Sequence, residues 1–242
     1  MRIRGDYHMH SRYSGDSNND LEAIVQRAIE IGLEEIAITD HGPSHNGYGI
    51  KRIEYGVLRR EIDHLNEKYP QIKVLLGLEA NILGVDGRID LDEEMRGMND
   101  WVNAGYHFGS NLKMDYKIHL DNIFSKFSKK IHNRALKTNT EAMISAMRNN
   151  KINMITHPGA KGPIDIAAVA KAAAETGTML EINNSHGHLT TDEIVIAMQF
   201  PVKFVLNSDA HKIEDIGKVE DSISRVIEAG LDPKRVYNII EE

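Results

Sequence analysis

Residues 21–42 read LEAIVQRAIEIGLEEIAITDHG, and the rhythm changes part-way through. Leu21, Ile24, Val25, Ala28 and Ile29 recur at the spacing of one helix face. Asn19 before that stretch and Glu22 inside it resemble a capping pair. Glu35–Thr39 is then a short apolar run of strand length, and it stops on Asp40-His41. The stretch therefore predicts a helix feeding a strand, with an acid and an imidazole where the strand ends.

The same alternation continues in both directions. Further strands are expected at Ile3–His8, Lys73–Ala80, Trp101–Tyr106, Asn153–Thr156, Met179–Asn183 and Val202–Asn207. Asp165 is placed to cap an Ala-rich helix that runs through Glu175 and stops at Gly177, and Val219, Ile223 and Val226 mark another, closed by Gly230. About seven strand–helix alternations predict an α/β fold with a parallel sheet. Closure into a barrel is the expected form, although periodicity alone leaves an open sheet available. No strong repeat, low-complexity tract or linker divides the chain, so residues 1–242 read as one domain of a length common for α/β barrels. Residues 109–137 are the least regular part, Lys-rich and polar, and read as a solvated insertion or a candidate lid.

Composition narrows the function. The 242 residues carry a net charge of −7, so no basic field draws in phosphate backbones, which weighs against a nucleic-acid substrate. There are no cysteines, so disulfides and thiolate-held metals are excluded and any metal must sit on imidazole and carboxylate. The apolar runs are far too short to span a membrane. The start, MRIRGDYHMH, lacks the apolar core of a signal peptide, which makes a cytoplasmic location the expectation. The sequence is silent on oligomeric state.

The twelve histidines are not scattered. His8 and His10 close the first expected strand, and period-two alternation puts both on one face. Asp40-His41 follows the second, Glu79 sits near the end of the third, His107 follows the fourth, His157 the fifth, and Asp209-Ala210-His211 the last. Carboxyl ends of parallel strands are where α/β folds build active sites. So many imidazoles and acids on one rim are costly to desolvate unless cations pair with them, and metal ions supply that pairing. His45, His186 and His188 fall in loops on the same face and are candidates for substrate contact. His119 and His132 lie in the irregular segment, and His64 in a charged amphipathic stretch expected at the surface.

The quoted residues resemble the signatures of the PHP (polymerase and histidinol phosphatase) superfamily: His8-Met9-His10-Ser11, Thr39-Asp40-His41-Gly42, Glu79, His107, Thr156-His157-Pro158-Gly159 and Ser208-Asp209-Ala210-His211. Thr138-Asn139-Thr140-Glu141-Ala142-Met143 and Glu181-Ile182-Asn183-Asn184-Ser185 are further similar to a bacterial subfamily of stand-alone phosphatases with three zinc ions. The resemblance implies a distorted (β/α)7 barrel and three divalent ions, Zn first, with Mn or Fe as alternatives. It implies His8, His10, Glu79 and Asp209 around the first ion, Glu79 bridging to a second completed by His107 and His157, and His41 and His211 on a third. The third needs one more ligand from the loop after the first strand, and here Asp16 stands where close relatives can carry histidine.

Such ions would remove the repulsion between a phosphomonoester dianion and an anionic nucleophile, and would activate water near neutral pH. Glu79, Asp209 and His211 are the residues expected nearest the chemistry. Asp40 is a candidate for orienting an imidazole from behind, or for capping its own loop. Arg12, Arg134 and Lys161 are candidate contacts for the substrate. The expected activity is that of a metal-dependent phosphatase on a small phosphomonoester, histidinol phosphate being one example. The alternatives are a phosphodiesterase or exonuclease of the same superfamily, an amidohydrolase, or a metal-stabilised scaffold without catalysis. The acidic balance counts against the phosphodiesterase or exonuclease, the Asp-His pair after the second strand against the amidohydrolase, and the complete ligand set against the scaffold.

Overall fold

The computed structural model describes residues 1–240, the side chains of Lys113 and Met114 excepted. Seven parallel strands run in chain order round a nearly closed barrel: β1 (Gly5–Asp6), β2 (Glu35–Ile38), β3 (Lys73–Leu83), β4 (Trp101–Gly105), β5 (Met154–Ile155), β6 (Met179–Asn183) and β7 (Phe204–Asn207). Around them lie α1 (Leu21–Glu30), α2 (Tyr55–Lys68), α3 (Glu93–Met98), α4 (Leu112–Phe124), α5 (Lys129–Asn149), α6 (Ile166–Thr176), α7 (Thr191–Ala197) and α8 (Glu220–Ala229). This is the distorted (β/α)7 barrel.

Register explains how the barrel lifts its polar residues to one end. Ile38 lies opposite Leu76, Glu79 opposite Asn103, and Asn183 opposite Asn207. At the lower end Tyr7, Ala37, Leu75, Trp101, Met154, Met179 and Val205 form a plug, one residue from each strand or its direct continuation, with Tyr7 stacked on Trp101 at 4.5 Å between ring centroids. Two residues further along four of the strands, the same inward parity gives Gly77, Asn103, Glu181 and Asn207, and beyond them Glu79, Asn183 and Asp209. Apolar below and polar above is the gradient an active rim requires. The other faces of the strands pack Ile36, Ile38, Leu76, Leu78, Ile182 and Leu206 against the helices.

Seven strands leave a seam between β1 and β7, and side chains close it. Asn238 is fully buried there: its Nδ2 donates to the carbonyls of Gly5 and Leu206 at 2.7 and 2.6 Å, and its Oδ1 accepts from the Leu206 amide at 3.0 Å. One amide side chain thus satisfies backbone groups of both edges that would otherwise be buried without partners. Higher up, His10 N donates to Ala210 O at 2.9 Å, so the seam is hydrogen-bonded again where the rim begins.

Three expectations change. The helix start is capped by Asp20, which accepts from the amides of Glu22 and Ala23, while Asn19 instead donates to the His10 carbonyl. The first strand is broken: Arg2–Ile3 pairs antiparallel with Ile239–Ile240, and only Gly5–Asp6 joins the barrel. Residues 109–137 are largely helical, forming α4 and the first turns of α5. Helix α4 escaped the periodicity because its polarity is inverted, with Asp115, His119 and Asn122 buried and Leu112, Tyr116, Leu120 and Ile123 exposed.

Candidate metal centre

The upper rim is assembled from every strand but β6. His8 and His10 follow β1, His41 follows β2, Glu79 lies within β3, His107 follows β4, His157 follows β5, and Asp209 and His211 follow β7. Asp16 reaches in from the loop between β1 and α1. His8 and His10 are fully buried beneath, and the others line a cavity of about 290 Å³ whose walls also include His45, Tyr48, Phe108, Lys161, Ser185 and His186.

Glu79 is the centre of the arrangement and is fully buried. Its Oε1 lies 3.2 Å from His8 Nε2 and 3.1 Å from Nε2 of both His107 and His157. Its Oε2 lies 2.9 Å from His41 Nδ1 and 3.8 Å from His10 Nε2. Asp209 Oδ1 stands 3.4 Å from His8 Nε2 and 3.3 Å from His10 Nε2. Asp16 Oδ2 stands 3.2 Å from His41 Nε2 and 3.3 Å from His211 Nε2.

Several of these atoms are close but misaligned for hydrogen bonding. His8 Nε2, His10 Nε2, His41 Nδ1 and Glu79 Oε2 are buried with no hydrogen-bond partner. Buried polar atoms are normally satisfied, so four orphans gathered at and around the Glu79 carboxylate fit bound cations better than a packing fault. The far sides of three rings are satisfied: His8 Nδ1 meets Glu181 Oε1 at 2.7 Å, His107 Nδ1 meets Asn81 Oδ1 at 2.9 Å, and His10 Nδ1 meets Ser14 Oγ at 3.3 Å. Outer partners that fix ring orientation and leave Nε2 free are the habit of metal-ligating histidines. Groups of donors within 4.8 Å of one another include His8, His10 and Asp209; His41, Glu79 and His107; and His10, Asp16, His41 and His211. The donor set therefore fits divalent ions of the N/O-loving kind.

Charge gives the same answer. Burial alone would raise the Glu79 carboxyl, but the imidazoles of His107, His8 and His41 hold it well below its ordinary value, and His8 and His10 do the same for Asp209. Burial disfavours a charged His8, yet Asp209, Glu181 and Glu79 push it well above the usual imidazole range. His41 is pushed up to about 10 by Glu79 and Asp16 against the same burial. His10 is pushed down to about 3 by burial and by His41, and His107 down to about 4 by burial, which outweighs Glu79. Without metal the cluster has to hold protons to balance its acids; cations perform that neutralisation without them.

Two of these positions carry backbone strain. His157 has φ of 27° and Asp209 of 56°, in the left-handed region that side chains other than glycine avoid. Such cost persists where the surroundings overdetermine it, and here both residues are aimed at Glu79 and His8.

The PHP domain profile matches residues 6–185. The chain belongs to the PHP family. It is 31% identical over 98% of its length to a probable phosphatase of Caldanaerobacter subterraneus subsp. tengcongensis, of which the match covers 88%. It is 30% identical over 97% of its length to the probable phosphatase YcdX of Escherichia coli, covering 89% of that protein. The crystal structure of a histidinol phosphate phosphatase from Lactococcus lactis, complexed with zinc, L-histidinol and phosphate, superposes with a TM-score of 0.65 at 18% identity, covering 96% of this chain and 95% of that one.

Within this PHP barrel the remaining candidates separate. Lys161 lines the cavity and donates from Nζ to His186 Nε2 at 3.3 Å. Arg12 and Arg134 do not line it: Arg12 pairs with Asp20 and Glu61 beside α1 and α2, and Arg134 with Asp121 on α4. Asp40 makes no direct hydrogen bond to an imidazole among the described residues; its carboxylate accepts from Ser11 N and Ser11 Oγ at 2.8 and 2.7 Å, capping the loop that carries His10. His45 stacks on Tyr48 at the mouth, and His186 Nε2 lies 3.5 Å from Asp209 Oδ2. His188 faces Glu193, His119 is bonded to Tyr106 and the Ser110 carbonyl, and His64 lies in the groove between α1 and α2, so none of the three reaches the cavity.

Glu181 was given no role by sequence reasoning. It is fully buried, holds His8 Nδ1 with one oxygen, accepts the His157 amide at 2.6 Å with the other, and receives Asn183 and Asn207 as well. The signal was present in its parity: Met179, Glu181 and Asn183 share the inward face of β6.

Proposed function

We propose that this PHP protein is a metal-dependent phosphatase that removes phosphate from a small-molecule monoester, with three divalent ions, zinc foremost, held on its rim. His8, His10, Glu79 and Asp209 would hold the first ion, Glu79 with His107 and His157 the second, and Asp16, His41 and His211 the third. His41 faces Glu79 through Nδ1 and Asp16 through Nε2, so it stands between the second group and the third. The names of the relatives as probable phosphatases, and the zinc, histidinol and phosphate of the Lactococcus lactis structure, support the reading. The observation that carries it is the set of buried imidazole and carboxylate atoms left without partners round Glu79.

Ions bound there supply positive charge for the phosphoryl oxygens and an activated water at neutral pH. The protein's own residues prepare the ground. Glu181, Asn81 and Ser14 fix the rings of His8, His107 and His10, so no reorganisation is needed when charge develops. His211 keeps its Nδ1 beside the Asp209 carbonyl at 3.0 Å, which turns Nε2 toward Asp16 and the open cavity. Lys161 places an ammonium at the mouth, where the phosphate of a substrate enters.

The test is a comparison of matched aryl phosphate mono- and diesters on the metal-loaded protein. A monoester presents more charged terminal oxygens to the centre and needs room for only one ester arm, so its kcat/KM should be the higher. A preference for the diester would replace this reading with a phosphodiesterase.

A further inference from the structure

The metal cavity does not end at Lys161. A second cavity of about 460 Å³ shares Phe108 and Lys161 with it and extends between α4, α5 and residues 159–163. Its volume is in the range that holds a small-molecule group. Its lining is chemically one-sided: Lys126, His132 and Lys161 are basic, Phe108 and Ile123 are apolar, and no carboxylate lines it among the described residues. In a chain of net charge −7 that composition is local. No ion pair joins Lys126 or Lys161 to an acid among the described residues.

The wall is also preset. Asn139 Nδ2 donates to Asn122 Oδ1 at 2.7 Å and to the Pro163 carbonyl at 3.0 Å, and Thr140 Oγ1 accepts from the Asp165 amide at 2.9 Å. A methyl carbon on Gly162 would lie 2.6 Å from the Asn122 side chain and 2.7 Å from that of Asn139, so the loop seats against the two helices only because it carries glycine there. A rigid pocket loses little freedom on binding and discriminates by charge and shape.

We propose that the alcohol portion of the substrate lies in this second cavity and carries an anionic group of its own, a carboxylate or a second phosphate, on an apolar or aromatic stem. The inference rests on the phosphomonoesterase reading above. Phe108 and Ile123 take the stem, Lys126 and His132 face the far charge, and Lys161 stands between the two ends. A leaving group bearing an ammonium, histidinol included, meets repulsion at the same place.

The experiment uses the metal-loaded full chain and three esters with the same aryl phosphate reaction: phenyl phosphate, 4-(carboxymethyl)phenyl phosphate and 4-(2-aminoethyl)phenyl phosphate. The expected order of kcat/KM is carboxylate, neutral, ammonium, with about tenfold between the extremes, the scale of one or two partly exposed ion pairs. The spread should shrink in high salt. Calorimetry provides a readout without turnover: 4-hydroxyphenylacetate should bind more tightly than tyramine. In Lys126→Glu, an exposed site that folding tolerates, both preferences should weaken or invert. Phenyl phosphate hydrolysed with no dependence on the para charge, and equal binding of the two alcohols, would overturn the inference while leaving the phosphatase. If none of the three esters is hydrolysed, the reading beneath it falls as well.

Discussion

Replacing Glu79 by glutamine exchanges one carboxylate oxygen for an NH2 group at the most crowded point of the rim. The side chain is fully buried, and the nitrogens of His8, His41, His107 and His157 all lie 2.9–3.2 Å from its two oxygens. Size and shape are retained; what is lost is one negative charge between positions that are to hold cations. A unit-charge pair at 4 Å is worth about 4 kcal/mol where the effective dielectric is about 20. A hundredfold loss of rate needs only about 2.7 kcal/mol. Turnover of an aryl phosphate by Glu79→Gln should therefore fall by at least about a hundredfold, with metal content reduced at the same time. The assay is kcat on protein whose metal is measured in the same sample, with thermal unfolding as a check that the barrel survives. Near-normal turnover at full metal content would refute the bridging role and with it the order of the ligand assignment.

Asp16→Ala separates a ligand from a turn residue: its carboxyl, which burial would raise, is held well below the ordinary range by hydrogen bonds from His211 and His41. As a ligand, its loss should remove about one equivalent of metal and lower kcat more than KM, with partial rescue by added metal; unchanged stoichiometry and kcat would reassign the third position. Glu181→Gln should keep the barrel folded yet lower metal affinity by roughly ten- to a hundredfold, because His8 loses the charge that fixes its ring; unaltered affinity would make Glu181 purely structural. Metal loading should release protons: Glu79 and Asp16 push His41 up to about 10, above neutral pH, so its ring is protonated before metal enters and must give up that proton to bind it. Calorimetry at pH 7.5 in buffers of different ionisation heat measures the release, and loading that takes place with none would contradict the charge balance drawn for the rim. The same sign makes loading weaken as pH falls.

Much of the architecture was legible because the outer faces of the strands and the inner faces of the helices obey one rule, apolar against apolar. The β6 strand was read to the residue, and Asp165, Gly177 and Gly230 end their helices as their side chains and backbone freedom dictate. The rule fails where burial is polar. Helix α4 turns Asp115, His119 and Asn122 inward, and the first strand gives way after Asp6 to the run that carries His8 and His10. After Asp6 the partners are hydrogen bonds from distant segments, Ser208 to Asp6 and Glu181 to His8, and at α4 they are side chains and carbonyls that flank the helix, Asn111, Ser110, Tyr106 and Asn139; an apolar periodicity registers neither.

The site divides along the same line. Histidines at strand ends are conspicuous because few structural roles call for several at once, so His8, His10, His41, His107, His157 and His211 were singled out by position alone. The residues that make them usable were not: Glu181, Asn81 and Ser14 are ordinary in composition and acquire meaning only through a 2.7, 2.9 or 3.3 Å approach to a ring nitrogen. Arg12 shows the converse, a basic residue two positions from His10 whose side chain is drawn outward by Asp20 and Glu61. Proximity in sequence to a rim residue fixes where the backbone lies, whereas the nearest unpaired charge decides where a long side chain goes. Lys161 points into the mouth for that reason: no carboxylate competes for it among the described residues, so its charge is left for what enters the cavity.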